Sequence, residues 1–79
     1  MADITDALIK LERSAEEERA RLAGLDGDEY AAQWRRWGEA AENFQTAVTA
    51  HAEATGQARH EVEIATKKAA RHADEDPVE

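Results

Sequence analysis

The side chains of this 79-residue chain that could carry out chemistry are its three histidines and its 18 acidic residues. A zinc-binding helix of the protease type needs two histidines four residues apart. The histidines are His51, His60 and His72, and no two of them have that spacing. The string from His60 to Ile64 begins like a zinc protease motif but lacks the second histidine. We therefore expect no metal ion in this protein.

The carboxylates lack the arrangement that acid–base catalysis requires. Glu16, Glu17 and Glu18 are consecutive, so a helix points them in three different directions. Glu17 and Arg21, four residues apart, form the kind of pair that is typical of a solvated helix surface. The chain has no cysteine, and we find no phosphate-binding glycine loop or dinucleotide fingerprint. We predict that the protein is not an enzyme and uses no cofactor.

The overall composition is that of an acidic helical protein. The net charge is −8, and 18 residues are alanine, the strongest helix former. An acidic chain is poorly suited to general binding of nucleic acid or anionic membrane. No apolar run approaches the roughly 20 residues that span a bilayer, and the first residues lack the features of a signal peptide. We expect a cytoplasmic protein that makes no contact with a membrane.

Two heptad stripes indicate the helices that hold these side chains. The first stripe runs from Ile4 to Leu25 with alternating spacings of four and three residues, and predicts helix 1 over about 4–24. Two glycines and two aspartates then predict a turn over 24–28. The second stripe runs without a slip from Tyr30 to His72 and predicts a long helix 2 over about 29–73.

Two features of the sequence bear on the length of the second helix. A break at Gly56 is the alternative to a continuous helix, because a glycine inside a helix costs about 1 kcal/mol relative to alanine. The acidic segment 74–79 contains Pro77 and is predicted to be a disordered tail. The chain is thus predicted to be one helical domain over 1–73.

A short turn between two helices predicts an all-α antiparallel hairpin with one short and one long helix. Trp34 and Trp37 lie on the stripe, whereas the two arginines between them lie outside it. We therefore expect both tryptophans in the seam between the helices. The predicted hairpin seam consists of Ile4, Leu8, Leu11, Leu22, Tyr30, Trp34, Trp37, Phe44 and Val48.

The hairpin leaves part of helix 2 without a partner, because helix 1 ends at the level of Val48. About 25 residues, or roughly 37 Å of helix, then extend past it. We expect this overhang to pair with a second copy and form a homodimeric bundle or coiled coil. Its interface is predicted to contain Ala54, Ala58, Val62, Ile64, Ala65 and Ala69. If the helix breaks at Gly56, residues 57–72 instead fold back as a third helix.

These features favour a protein–protein association module, namely a scaffold, adaptor or regulator that binds a copy of itself or another protein. The alternative rests on residues 52–72. Ala52, Gly56 and Val62 have the spacing of the turn in helix–turn–helix and ribbon–helix–helix DNA-binding proteins, which this stretch resembles. The resemblance implies a DNA-binding regulator that presents Gln57, Arg59, His60, Lys67 and Lys68 to nucleic acid.

The charge of this region places the DNA-binding alternative second. Residues 51–73 hold four basic and three acidic residues, which gives a net charge of only +1. The second helix of the motif would also present Glu61 and Glu63 to the phosphates. We therefore rank nucleic acid below a protein partner.

Overall fold

The computed structural model describes residues 3–75, and the side chains of residues 3–72. The described residues form three α-helices and no strand: α1 (Asp6–Ala20), α2 (Gly27–Thr55) and α3 (Arg59–Glu75). Each helix packs against the other two. The all-α prediction is confirmed, but the predicted two-helix hairpin is wrong, because a third helix folds back onto the first two.

The boundary between α2 and α3 lies at Gly56. This residue has a φ of 70°, in the left-handed region that residues with a Cβ rarely adopt. The N–H of Gln57 bonds to the carbonyl of Ala52 at 3.0 Å, which satisfies one of the carbonyls left free at the end of α2. The predicted continuous helix over 29–73 is therefore wrong, and the alternative break at Gly56 is confirmed.

Folding back of α3 removes the overhang on which the predicted dimer depended. The apolar face of α3 that includes Val62 packs inside the same chain, where Val62 is fully buried. Helix α3 also continues to Glu75, two residues into the predicted tail. The rest of that tail, 76–79, lies outside the described residues.

The first helix begins at a side-chain cap. The hydroxyl of Thr5 accepts a hydrogen bond from the backbone N–H of Leu8 at 3.2 Å, which satisfies a donor that the helix leaves free. Helix α1 ends at Ala20, earlier than predicted, because residues 21–24 form a turn. In this turn the N–H of Leu22 bonds to the carbonyl three residues before it, which tightens the chain.

The hydrophobic core lies where all three helices meet. It consists of Leu8 from α1, Phe44, Val48 and Ala52 from α2, and Val62 from α3, each less than 5% exposed. Ile4, Leu11 and Ala47 pack against this cluster. The core therefore covers the C-terminal half of α2 and leaves the other half with less apolar cover.

Burial along the N-terminal half of α2 departs from the predicted stripe. Gln33 is 3% exposed, whereas Trp34 and Tyr30, both predicted in the seam, are 51% and 41% exposed. A straight helix turns by about 100° per residue, so Gln33 lies only about 20° from the direction of Phe44 and Trp34 about 80° from it. On a straight helix a strict heptad repeat drifts by about 20° per heptad, which contributes about 30° of the angle between Trp34 and Phe44.

Candidate functional site

A polar network fixes the N-terminal half of α2 against α1. The Gln33 amide donates from Nε2 to the backbone carbonyl and to Oε1 of Glu18, both at 2.7 Å. Arg36 Nη1 donates to Oε1 of the same amide at 3.3 Å. Glu18, an acidic residue within the first apolar stripe, is thus paired with Gln33. This pairing holds the helix in the rotation that turns Trp34 outward.

An uncharged patch is centred on the outward-facing Trp34 of this half-helix, with Trp37 half-buried at its inner edge, and we call it the aromatic surface. It contains every residue between positions 30 and 41 that lies within about 60° of Trp34 around the helix axis. Its members are Tyr30, Ala31, Trp34, Trp37, Gly38 and Ala41. The rings of Trp34 and Trp37 meet edge to face, with centroids 6.1 Å apart and an interplanar angle of 78°.

Gly38 forms a notch in the aromatic surface, one helical turn from Trp34. It lies inside α2 with an ordinary helical backbone, and a Cβ added there would meet no atom within 4 Å other than those of its two chain neighbours and of its own helix backbone. A glycine at such a position costs about 1 kcal/mol of helix stability relative to alanine. No close approach within the described part of the chain accounts for this glycine. The notch is therefore open beside the most exposed tryptophan.

The predicted interface residues do not form one surface. Val62 belongs to the core, and Ala54 and Ala58 are exposed on either side of Gly56. Ile64, Ala65 and Ala69 stay together on α3. These three line a shallow groove with Ile4, Glu61, Lys68 and His72. Ile64 is 52% exposed there.

Three of the five residues predicted to face nucleic acid bind other parts of the chain. Lys67 Nζ is 3.1 Å from Oε1 of the buried Glu12 and 5.2 Å from the centroid of the Phe44 ring. Arg59 donates to the hydroxyl of Thr49 at 3.0 Å. The third is Gln57, whose contacts are described below. The remaining two, His60 and Lys68, are exposed.

Glu63 links α3 to α2. Its carboxylate accepts hydrogen bonds from Gln45 Nε2 at 3.2 Å and from Arg59 Nη1 at 3.1 Å. Partial burial by itself would raise the pKa of Glu63, but these two hydrogen bonds and the charges of Arg59 and Lys67 hold the pKa below its ordinary value. Glu63 is therefore engaged in holding α3 against α2.

The start of the described chain is held at the turn between α2 and α3. The backbone N–H of Asp3 donates to Gln57 Oε1 at 2.7 Å, and Gln57 Nε2 donates back to the Asp3 carbonyl at 3.1 Å. Nε2 of His51 lies 2.8 Å from the same carbonyl. We call this arrangement the Asp3 clamp. It engages the ring of His51 in a contact with the backbone.

The described side chains contain no group of three or more histidines or carboxylates that could hold a metal ion. Of the histidines, His60 is exposed and His72 lies at the rim of the α3 groove. Within residues 3–75, no helix is both long enough and apolar enough to cross a membrane.

The aromatic surface is the site that sequence reasoning missed, although both tryptophans were singled out. Two signals were present in the sequence. Gly38 lies in the middle of a predicted helix, and Gln33 lies about three helical turns before Phe44 and therefore on the same side of that helix. Comparison with known proteins adds no further guide. No protein-family model matches this chain, and no similar curated protein or solved structure was found.

Proposed function

We propose that this chain is a non-enzymatic protein–protein association module that docks through the aromatic surface. It would act as a scaffold, adaptor or regulator. The observation that carries the proposal is the exposure of Trp34 and Tyr30, at 51% and 41%, on one face of a packed helix. Clusters of exposed aromatic side chains on a folded domain are typical of interaction sites.

The composition of the site supports this function. Tryptophan, tyrosine and arginine are the residues most often found at the energetic centres of protein interfaces. The uncharged aromatic surface has Arg35, Glu39 and Glu42 along one flank. An apolar centre with a charged rim is the usual anatomy of such an interface.

The rigidity of the site also supports the proposal. The aromatic surface lies on a continuous helix of 29 residues, which Gln33 and Glu18 hold in one rotation against α1. A docking surface that is ordered before binding loses less conformational entropy when the partner arrives. The ring contact between Trp34 and Trp37 similarly restricts both side chains.

The test is site-specific photocrosslinking in the cells that produce the protein. A photoreactive residue at Ala31 lies within the aromatic surface and leaves both tryptophans in place. We expect discrete crosslinked adducts from this position, and their loss when Trp34→Ala is added. The matched control is the same photoreactive residue at His60, exposed on α3, which should give no such adduct. Absence of adducts from Ala31 would contradict the proposed function.

One observation favours DNA binding as a second candidate. Ala52 and Val62 are both buried and Gly56 is left-handed, which are the structural roles that the helix–turn–helix resemblance implies for these positions. DNA binding is opposed by the contacts of two basic side chains, because Lys67 is paired with Glu12 and Arg59 donates to Thr49 within the same chain.

Fluorescence anisotropy with duplex DNA separates the two candidates. A DNA-binding regulator should retain the duplex at about 50 mM salt and lose it steeply towards about 200 mM. Lys68→Glu on the exposed side of α3 should then weaken retention further. No binding at the lower salt concentration would leave the association module as the remaining function.

A further inference from the structure

We infer that α3 exchanges between two copies of this chain. In the exchanged dimer, α2 and α3 join into one continuous helix, and each α3 packs on α1 and α2 of the partner in the way that it packs on its own chain in the closed monomer. The surface that binds the second copy is therefore the buried face of α3. The inference goes beyond the proposed function, because it does not use the aromatic surface.

The buried faces of α2 and α3 have the same phase. The buried residues in the C-terminal half of α2 are Phe44, Val48 and Ala52, and those of the described part of α3 are Val62, Thr66 and Ala70. Each residue of the second set follows its counterpart in the first by 18 positions. Eighteen residues make five whole turns of an α-helix. If the helix ran through Gly56, all of these side chains would therefore lie along one straight face.

The exchanged dimer needs this common phase, whereas a third helix that only folds back does not. Two long helices that pair in antiparallel fashion are related by a two-fold axis perpendicular to the plane that contains them. Such an axis leaves both copies of α1 on the same side of the pair. Each long helix must then present one straight face to its partner and to both copies of α1, which the repeat of 18 residues provides.

The contacts between α2 and α3 place the two-fold axis in the hinge. They join residues whose numbers sum to between 108 and 111, namely Thr49 with Arg59, Gln45 with Glu63, and Phe44 with Lys67. The same contacts made between two copies put the axis close to Thr55. Ala52, Thr55 and Ala58 lie within about 80° of the direction of Phe44 on a continuous helix. These side chains are small, so the two helices can cross there closely.

The segment that must change conformation is short. At the end of α2 the carbonyl of Ala52 accepts from the N–H of Gln57, and at the start of α3 the carbonyl of Ala58 already accepts from Glu61 and Val62. Only residues 56–58 lie between the two helices. Gly56, with its φ of 70°, must return to helical values for α2 to continue into α3. All contacts of α3 with α1 and α2 are then recovered on the partner.

The attachment of α3 suits an element that leaves and rebinds. Val62 is the one large apolar side chain among the buried residues of its described part, since Thr66 and Ala70 are small. Much of the remaining attachment is polar, as in the pairs of Lys67 with Glu12 and of Glu63 with Gln45. Water satisfies these polar groups while α3 is detached, so opening costs less than the separation of an apolar interface of the same size.

Crosslinking of two single-cysteine variants tests the exchange, because the chain has no cysteine of its own. Thr49→Cys and Arg59→Cys place thiols at side chains that meet between α2 and α3. The two variants are mixed, unfolded in urea, refolded together at millimolar concentration and treated with a short bis-maleimide. We expect a covalent heterodimer, since exchange places residue 59 of one copy beside residue 49 of the other. A mixture of Thr49→Cys with Ala31→Cys is the matched control and should give none.

The absence of a heterodimer from the first mixture would overturn the exchange. Adding Trp34→Ala to both of its variants separates this inference from the proposed function. The yield should stay the same, because Trp34 lies outside the exchanged contacts. A yield that falls with Trp34→Ala would mean that the copies meet at the aromatic surface, and would contradict the exchange while supporting the proposed function.

Substitution of the hinge glycine tests the continuous helix by a different measurement. Gly56→Ala should strengthen dimerisation in sedimentation equilibrium by about a hundredfold or more, because alanine disfavours the left-handed turn and favours the joined helix in both chains. Gly56→Asn is the matched control and should stay close to the native chain, since asparagine tolerates a positive φ. Equal association of the alanine and asparagine variants would contradict the continuous helix.

Discussion

The two halves of α2 carry similar numbers of large apolar residues but lie in different surroundings. In the C-terminal half, Phe44 and Val48 are no more than 1% exposed. In the N-terminal half, Tyr30 and Trp34 are at least 41% exposed, and Gln33 occupies the buried position. Hydrophobic residue type alone therefore does not decide burial in this helix.

The difference comes from the helices that cover each half. Bonds from Gln45 to Glu63 and from Arg59 to Thr49 hold α3 on the C-terminal half, while α1 covers the other side. The N-terminal half is held to α1 by the polar Gln33–Glu18 pair. Folding stability is thus concentrated in one half of α2, and the surface for association in the other. Four predictions test this division, in order of decreasing effect.

Phe44→Ala and Trp34→Ala form the strongest test. Removing the buried Phe44 ring should lower the free energy of unfolding by about 3–5 kcal/mol, because it leaves a cavity in the core. Removing the half-exposed Trp34 ring should lower it by about 1 kcal/mol or less. Urea denaturation followed by circular dichroism measures both. Similar losses would show that the two halves of α2 contribute equally to stability.

Lys67→Met tests the polar edge of the core. It should lower the free energy of unfolding by about 1–3 kcal/mol, because the carboxylate of Glu12 stays buried without its cation. The loss is smaller than for a fully buried pair, since the Lys67 side chain is 40% exposed. The double variant E12Q/K67M should recover most of it. A double variant as unstable as the single one would mean that Lys67 acts through packing on Phe44 instead.

Gln33→Ala tests the attachment of the N-terminal half to α1. The loss of its two hydrogen bonds to Glu18 should cost about 1–2 kcal/mol in urea denaturation. Because the rotation of α2 is no longer fixed, we also expect a shift in the tryptophan fluorescence maximum. Arg35→Ala, a change at an exposed neighbour, is the control. If Gln33→Ala changes neither quantity, the polar pair does not orient the aromatic surface.

The contribution of Glu63 should depend on pH and is the smallest effect. Its pKa is lower in the folded chain than the ordinary value of 4.5, so the folded state favours the ionised carboxylate. This stabilisation is fully present well above pH 4.5 and is lost as the pH falls through the lower folded pKa. Glu63→Gln should therefore be less stable than the native chain near neutral pH. The two should converge under acid conditions, and a difference independent of pH would exclude the charge as the cause.

Much of the fold could be predicted from the sequence. The helical composition, the capping residue Thr5, and the burial of Leu8, Phe44 and Val48 follow from residue types and spacing. The break at Gly56 could be named only as an alternative, because the local cost of a glycine is small. What decides it is the burial that α3 gains by folding back, and an alanine-rich stripe looks the same whether its partner lies within the chain or in another copy.

The candidate site was harder to predict. Trp34 was recognised, but its exposure depends on whether α2 supercoils to follow a 3.5-residue repeat or stays near 3.6 residues per turn. That choice is made by tertiary contacts, here by Gln33 reaching Glu18. The notch at Gly38 becomes meaningful only once the neighbouring tryptophan is known to face outward.

The Asp3 clamp determines how this molecule could be tethered. It fixes the beginning of the described chain beside Gln57, 54 positions away in sequence, at the pole of the bundle opposite Trp34. Residues 34 and 55 of α2 are separated by roughly 30 Å of helix. A fluorophore, a surface linker or a fused domain joined ahead of Asp3 would therefore emerge at the far pole, and the tryptophan pole would stay unobstructed.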